Sequence, residues 1–143
     1  FLGDASDHYP EFHDRYLGLT EVAGDLVVAQ EDALTLERHG YDAAARLFAR
    51  VPDVDAVFAG SDLIAIGALQ YLKETGRRVP EDVSVIGFDD ISAAQHAIPP
   101  LTTIRQDSRA AGRHLVAQLL GMIDGQEPGE NRLPVSLIER ASA

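Results

Sequence analysis

The sequence predicts an α/β domain built on a doubly wound parallel sheet, and three observations carry that prediction. Short apolar runs alternate with amphipathic helical stretches along the chain. The clearest runs, Ala56-Val57-Phe58-Ala59 and Val83-Ser84-Val85-Ile86-Gly87-Phe88, are nearly continuous rather than alternating, as strands covered on both faces must be. The chain has 143 residues, 45% of them apolar, which is one domain's length and enough to bury roughly two-thirds of the unfolded surface. Right-handed crossovers then place helices on both sides of the sheet.

Each element has a local reason. Phe1-Leu2-Gly3-Asp4 reads as the end of a buried strand entering a loop, so the chain is expected to be part of a longer protein. A helix is expected over 11–23, where Phe12, Tyr16, Leu19 and Val22 recur at intervals of 4, 3 and 3. A short strand follows over 26–29, then a polar loop over 30–39, then a helix over 41–50 with Ala44, Leu47 and Phe48 inward. A strand over 56–59 runs into Gly60-Ser61-Asp62, a turn with N-cap chemistry in which Asp62 is the expected cap. The helix over 63–75 closes at Gly76, with Pro80 shortly after. The strand over 83–88 stops at Asp89-Asp90, and Ile98-Pro99-Pro100 is a rigid turn. Residues 101–104 are extended, and a helix over 109–123 carries the stripe Leu115, Val116, Leu119, Leu120 and Ile123. A loop over 125–129 leads to a last strand over 133–138.

Composition excludes several functions. Twelve Lys and Arg against 23 Asp and Glu give a formal charge of −11, so this segment does not hold duplex DNA by itself. Cysteine is absent, which removes disulfides, thiol nucleophiles and Cys-based zinc sites. The five histidines show no HxxxH or HExxH spacing, so no metal site is expected. No two of the 12 glycines stand two apart, so no dinucleotide fingerprint exists. The single lysine, Lys73, rules out a Walker A loop and a receiver-domain phosphorylation site. There is no G-x-S-x-G elbow, no cofactor motif, and no apolar stretch long enough for a membrane helix.

In open α/β sheets, ligands sit beyond the carboxyl ends of the strands. The residues there are Asp4, 30–32, Ser61-Asp62 and Asp89-Asp90, a polar and acidic rim with one nearby helix-borne cation, Arg15. Short carboxylates accept from hydroxyls and a guanidinium fork donates in fixed geometry, a combination suited to a small hydroxyl-rich ligand. Each residue also has a plain alternative: a cap for Asp62, a strand-ending turn for Asp89-Asp90, a surface arginine for Arg15.

Three runs in order make the pattern specific. They are Ala59-Gly60-Ser61-Asp62-Leu63-Ile64-Ala65-Ile66-Gly67-Ala68-Leu69, then Gly76-Arg77-Arg78-Val79-Pro80-Glu81-Asp82-Val83-Ser84-Val85-Ile86-Gly87-Phe88-Asp89-Asp90, then Pro99-Pro100-Leu101-Thr102-Thr103-Ile104-Arg105-Gln106. The set resembles the LacI/GalR family of bacterial transcriptional regulators across essentially the whole chain. The resemblance implies a periplasmic-binding-protein-like lobe, with the N-terminal lobe and the helix-turn-helix domain outside this chain. It further implies that residues 1–100 form the C-terminal lobe of the effector-binding domain. Residues 101–132 would cross into the other lobe, and 133–143 would return.

Residue by residue, the resemblance matches Arg15 to the arginine that contacts the effector and Asp89 to the aspartate that accepts from it. Ser61 stands where many sugar-responsive members carry Asn. Thr35, between Leu34 and Leu36, stands near the place of a frequent stacking aromatic, and no aromatic is present. Gln106 falls at the lobe crossing. Ile66, Leu69, Ala97, Ile98 and Pro99 match a subunit interface, although Ile66 and Leu69 would equally suit this domain's own core. The implied partners are a small-molecule effector of the sugar or polyol class, a second copy of the chain, and operator DNA held only through the missing N-terminal domain. A cytoplasmic, non-enzymatic protein without membrane contact follows. The alternatives are a periplasmic sugar-binding protein of a transporter, and an enzyme acting on a small polyol through Asp89 and Asp90.

Overall fold

The computed structural model describes residues 1–23, 30–32, 36–129 and 132–143. The strand expected over 26–29 and the candidate Thr35 lie outside them. The first helix, α1 (Pro10–Ala23), starts on a proline, which tolerates the first helical position because that N–H has no partner anyway. Helix α2 (Glu37–Arg50) begins earlier than the expected 41, within the stretch read as loop. The polar Glu37 and Arg38 form an outward first turn, while Gly40, Ala43, Ala44, Leu47 and Phe48 are buried. Strand β1 (Ala56–Phe58) leads into α3 (Asp62–Glu74), and β2 (Ser84–Asp89) follows. A 3-10 turn, Ala94–His96, precedes β3 (Thr102–Gln106), α4 (Ser108–Ile123) and β4 (Val135–Ile138).

The strands form one sheet in the order β1-β2-β3-β4. β1, β2 and β3 run parallel, with Val57 beside Val85 and Gly87 beside Thr103. Leu2 extends this sheet beyond β1 through parallel bridges to Ala59 and Glu31. The sheet is predominantly parallel, as expected, and departs from it only at β4, which pairs antiparallel to β3 with Thr103 opposite Ile138. The chain runs out along β3 into α4 and comes back beside its own path, so the returning strand points the other way. β2 shows the two covered faces: Val85 and Gly87 are buried on one side, while Ile86 and Phe88 are half-buried on the other.

α3 packs on the first face, where a side chain on Gly87 would strike Asp62, Leu101 and Ala65. On the other face Tyr16 of α1 lies 5.5 Å from the Phe1 ring, itself 5.8 Å from Phe58. Helices α2 and α3 touch backbone to backbone. A Cβ on Gly40 would sit 2.1 Å from the Ile64 carbonyl oxygen, and one on Gly67 would sit 1.9 Å from that of Glu37. The core gathers Leu2, Leu47, Ile64, Leu72, Val83, Val85 and Leu101, all but fully buried. Each such side chain contributes about 1.5–3 kcal/mol of transfer free energy.

α4 differs from the other helices. None of its residues is buried, and Leu115, Val116, Leu119, Leu120 and Ile123 are each more than half exposed. Val135 and Leu137 of β4 are likewise more than half exposed. Among the described residues, no helix is long and apolar enough to cross a membrane.

Candidate functional site

The carboxyl ends of β1, β2 and β3 meet α1 at one rim of the sheet. Arg15 projects from α1 and is largely buried. One of its guanidinium nitrogens donates to the Gly60 carbonyl just past β1. The other stands 3.8 Å from Oδ1 of Asp89. The guanidinium carbon lies 3.9 Å from the centre of the Phe88 ring and 5.4 Å from that of Phe12. The two rings fix the plane of the cation while leaving its donors directed at the rim. Burial pushes the Arg15 pKa down, and Asp89 and Glu11 pull it back.

Asp89 ends β2 and is about one-third exposed, with a side-chain exposure of 35%. Its Oδ1 accepts a 2.8 Å hydrogen bond from Nε2 of Gln106, the last residue of β3. Burial raises its pKa, against the opposing pull of Arg15 and the Gln106 hydrogen bond. Thus Arg15, Asp89 and Gln106, separated by up to 91 positions (106 − 15), come together at one point. Beside them, along β3 and β4, opens a cleft of about 530 Å³ walled by Gln106, Asp107, Ser108, Val135 and Ser136 among others.

Ser61, not Asp62, is the N-cap of α3: its hydroxyl accepts from the Ile64 N–H at 3.4 Å. Only 8% of Ser61 is exposed, so its oxygen serves the helix first. The cap expected at Asp62 is therefore corrected. Asp62 is the first helical residue, fully buried, accepting from the Thr103 hydroxyl at 2.5 Å and the Ile91 N–H at 2.8 Å. Burial raises its pKa, and these two hydrogen bonds oppose the rise.

Asp90 carries two cations instead of facing the rim cation. Arg105 reaches one oxygen and Arg140 the other, each at 2.6 Å. Burial disfavours its charge, but the hydrogen bonds from Arg140 and Arg105 outweigh that and hold its pKa below the ordinary value. The sequence offered Phe12 and Phe88 only as core positions and Arg105 only as part of a run. What could have singled out Phe88 is its place immediately before the aspartate that ends the strand.

The candidate interface residues separate. Leu69 is 4% exposed and belongs to this chain's own core, because it shares a face of α3 with Ala65 and Leu72. Ile66 is half-buried against the same core. Ala97 and Pro99 are half-buried, and Ile98 between them is 73% exposed. Among the described residues no group of His, Asp or Glu could hold a metal ion.

Beyond the carboxyl ends of the parallel strands, the rim thus offers a guanidinium fork, a carboxylate and an amide, the place where open α/β sheets bind ligands. The whole chain, residues 1–143, matches the periplasmic binding protein-like domain, and it belongs to that family. Within it, the chain is part of an effector-binding domain of the LacI/GalR regulators. It is 46% identical over 105 residues to the HTH-type transcriptional regulator CelR of Thermobifida fusca, covering 72% of this chain and 31% of that one. It is 36% identical over 141 residues to the ribose operon repressor of Bacillus subtilis, covering 93% and 42%.

Among solved structures, a CelR–cellobiose complex superposes with a TM-score of 0.79 at 39% identity, covering 90% of this chain and 40% of that one. The lac repressor dimer bound to operator and the anti-inducer ONPF superposes at 0.91 and 30% identity, covering 99% and 44%. The chain spans less than half the length of these relatives. They are named as transcription regulators, not as enzymes.

Proposed function

We propose that this chain is the effector-binding part of a LacI-type transcription regulator. Its effector is a small hydroxylated molecule of the sugar class, held between Arg15 and Asp89. The observation that carries this reading is the Arg15–Asp89–Gln106 cluster. Asp89 accepts from a ligand hydroxyl while Arg15 donates to the same or the neighbouring oxygen, so both the donor and the acceptor capacity of a hydroxyl are used. Ser61 adds a hydroxyl at the edge, and Thr35 belongs to the same proposed set. A relative held in complex with cellobiose makes cellobiose the first probe.

The rest of the reading follows from the same family. Operator DNA is bound by a segment outside this chain, which agrees with a net charge of −11. The crossing was expected from residue 101, but Leu101 lies in this lobe's core and β3 pairs with β2, so it is the segment after Gln106 that belongs to the second lobe, and the exposed stripe of α4 is the face that packs there. Two copies join through the Ala97–Pro99 turn and Ile66. The protein works in the cytoplasm and catalyses nothing. The names of the relatives favour a regulator over a transporter's receptor.

The experiment is calorimetric titration of the intact protein with cellobiose and a panel of mono- and disaccharides, followed by operator binding with and without the sugar that binds. Saturable binding that Arg15→Ala removes supports the reading. No binding across the panel, or binding that survives Arg15→Ala unchanged, defeats it.

A further inference from the structure

The register between β2 and β3 sets Asp89 beside Arg105. In regular parallel strands such a pair projects from one face and meets. Here the partners are exchanged. Asp89 has φ 111° and Asp90 has φ 52°, both left-handed, a region Asp tolerates better than most side chains. Asp89 therefore takes Gln106 and Asp90 takes Arg105, adjacent residues of the same strand.

Asp90 does more than pair with β3. Its other oxygen accepts from Nη2 of Arg140, two residues past the end of β4, while Nη1 of Arg140 donates to the Leu101 carbonyl at 2.7 Å. The Asp90 side chain is only 8% exposed. One carboxylate thus holds the strand on which the chain leaves and the strand on which it returns. The turn is held from within as well. The Thr103 hydroxyl accepts from the Asp90 N–H at 3.4 Å and donates to Asp62, which also takes the Ile91 N–H.

We infer that Asp90 and Arg140 carry the state of Asp89 to the β3–β4 pair, and so act as positioning residues for the effector response. This rests on the reading of Asp89 as an effector-binding group. A ligand hydroxyl at Asp89 competes with Gln106 for Oδ1, and Asp89 shares a peptide unit with Asp90 in a conformation with little slack. A shift in that peptide cannot be absorbed at Asp90, because a buried carboxylate drawn away from its two cations is left uncompensated. The two strands must follow. They are the two connections between this domain and the segment that holds α4.

The test uses the intact regulator, cellobiose as the probe, and Arg140→Gln. Arg140→Gln binds cellobiose within about threefold of wild type, while the sugar-induced change in operator affinity shrinks by about tenfold. Without any ligand, amide exchange of residues 135–138 speeds up by about tenfold, because β4 has lost its tie. Arg140→Lys keeps the charge but cannot reach both Asp90 and the Leu101 carbonyl, and gives an intermediate coupling. Asp90→Asn, which keeps the volume, gives the same pattern and serves if Arg140→Gln does not fold.

Wild-type coupling together with wild-type exchange in these variants overturns the inference. So does a loss of cellobiose affinity in step with the loss of coupling, which would make Arg140 a support of the site itself. A wild type that binds no cellobiose counts against the sugar reading instead. The exchange measurement needs no ligand, and unchanged protection of β4 there still overturns the tie.

Discussion

Asp62 and Thr103 meet inside the protein, hydroxyl to carboxylate at 2.5 Å, and neither is exposed at all. They join the start of α3 to the middle of β3. Through the Ile91 N–H they also anchor the turn that displays Asp89. The carboxylate is an acceptor at both oxygens, so an amide cannot replace it. In Asp62→Asn one atom still accepts from Thr103, but the NH2 group then faces the Ile91 N–H, donor against donor. The expected loss is about 1–3 kcal/mol for an unsatisfied buried group. A urea unfolding midpoint equal to wild type would show that the turn does not depend on this pair.

In its proposed role, Asp89 poses a conflict between binding and stability. Burial raises its pKa in the folded protein above the ordinary carboxylate value. For an acid, a raised folded-state pKa means that ionisation costs stability once the pH exceeds it, and that the cost disappears as the pH falls below the unfolded value. Asp89→Asn removes that cost, and Asn also suits a left-handed backbone. The variant is therefore expected to melt at or above the wild-type temperature at neutral pH, yet to bind no cellobiose in calorimetry. Melting well below wild type would mean that Asp89 is held for the fold.

The same shift sets the pH dependence of binding. In the proposed site, protonating Asp89 removes the acceptor for a sugar hydroxyl. Affinity should begin to fall while the pH is still above the ordinary carboxylate range of about 4, since the folded-state pKa lies higher. The measurement is the dissociation constant for cellobiose across the acid side of neutrality, in a protein whose circular dichroism stays constant. A constant affinity down to about pH 4 contradicts it.

Legibility in the sequence depended on how local the cause was. β1, β2 and α3 fall within a residue or two of their expected bounds, because continuous apolar runs and the Ser61 and Gly76 boundaries are local signals. The start of α2 was hidden by a polar first turn that reads equally well as loop. The direction of β4 was invisible, since a four-residue strand carries no mark of parallel or antiparallel pairing. Arg15 and Asp89 were legible as a cation near strand ends, but their flanking rings were not. The Asp90–Arg140 pair joins residues 50 positions apart and depends on two left-handed residues, which no periodicity announces.

The contact of α2 with α3 supplies a fold test independent of any ligand. A methyl group on Gly67 would lie 1.9 Å from the Glu37 carbonyl oxygen and 2.7 Å from the Tyr41 nitrogen. Both are backbone atoms, so no side-chain rotation relieves the clash and the helices must part. Gly67→Ala is expected to cost about 1–3 kcal/mol, the range for overpacking, although alanine has the higher helix propensity. A thermal midpoint at or above wild type would mean that the two helices separate freely.

Ile98 distinguishes the proposed interface from an ordinary surface turn. The turn is anchored: Ala94 is fully buried, and the Leu101 N–H donates to its carbonyl at 2.9 Å. Ile98 is thus held outward on a fixed base at 73% exposure rather than swinging in a loose loop. In a single copy, Ile98→Asp meets water and should change folding stability by no more than about 0.5 kcal/mol. Between two copies the same charge is desolvated without a partner, which costs several kcal/mol per ion, and there are two of them across a two-fold axis. The intact protein with Ile98→Asp should therefore scatter light as a monomer at concentrations where wild type is a dimer, with an unchanged circular dichroism spectrum and a melting temperature lowered only by the loss of dimerisation. A mass that stays dimeric would move the interface away from this turn, and Ile66, half-buried against its own core, could not sustain it alone.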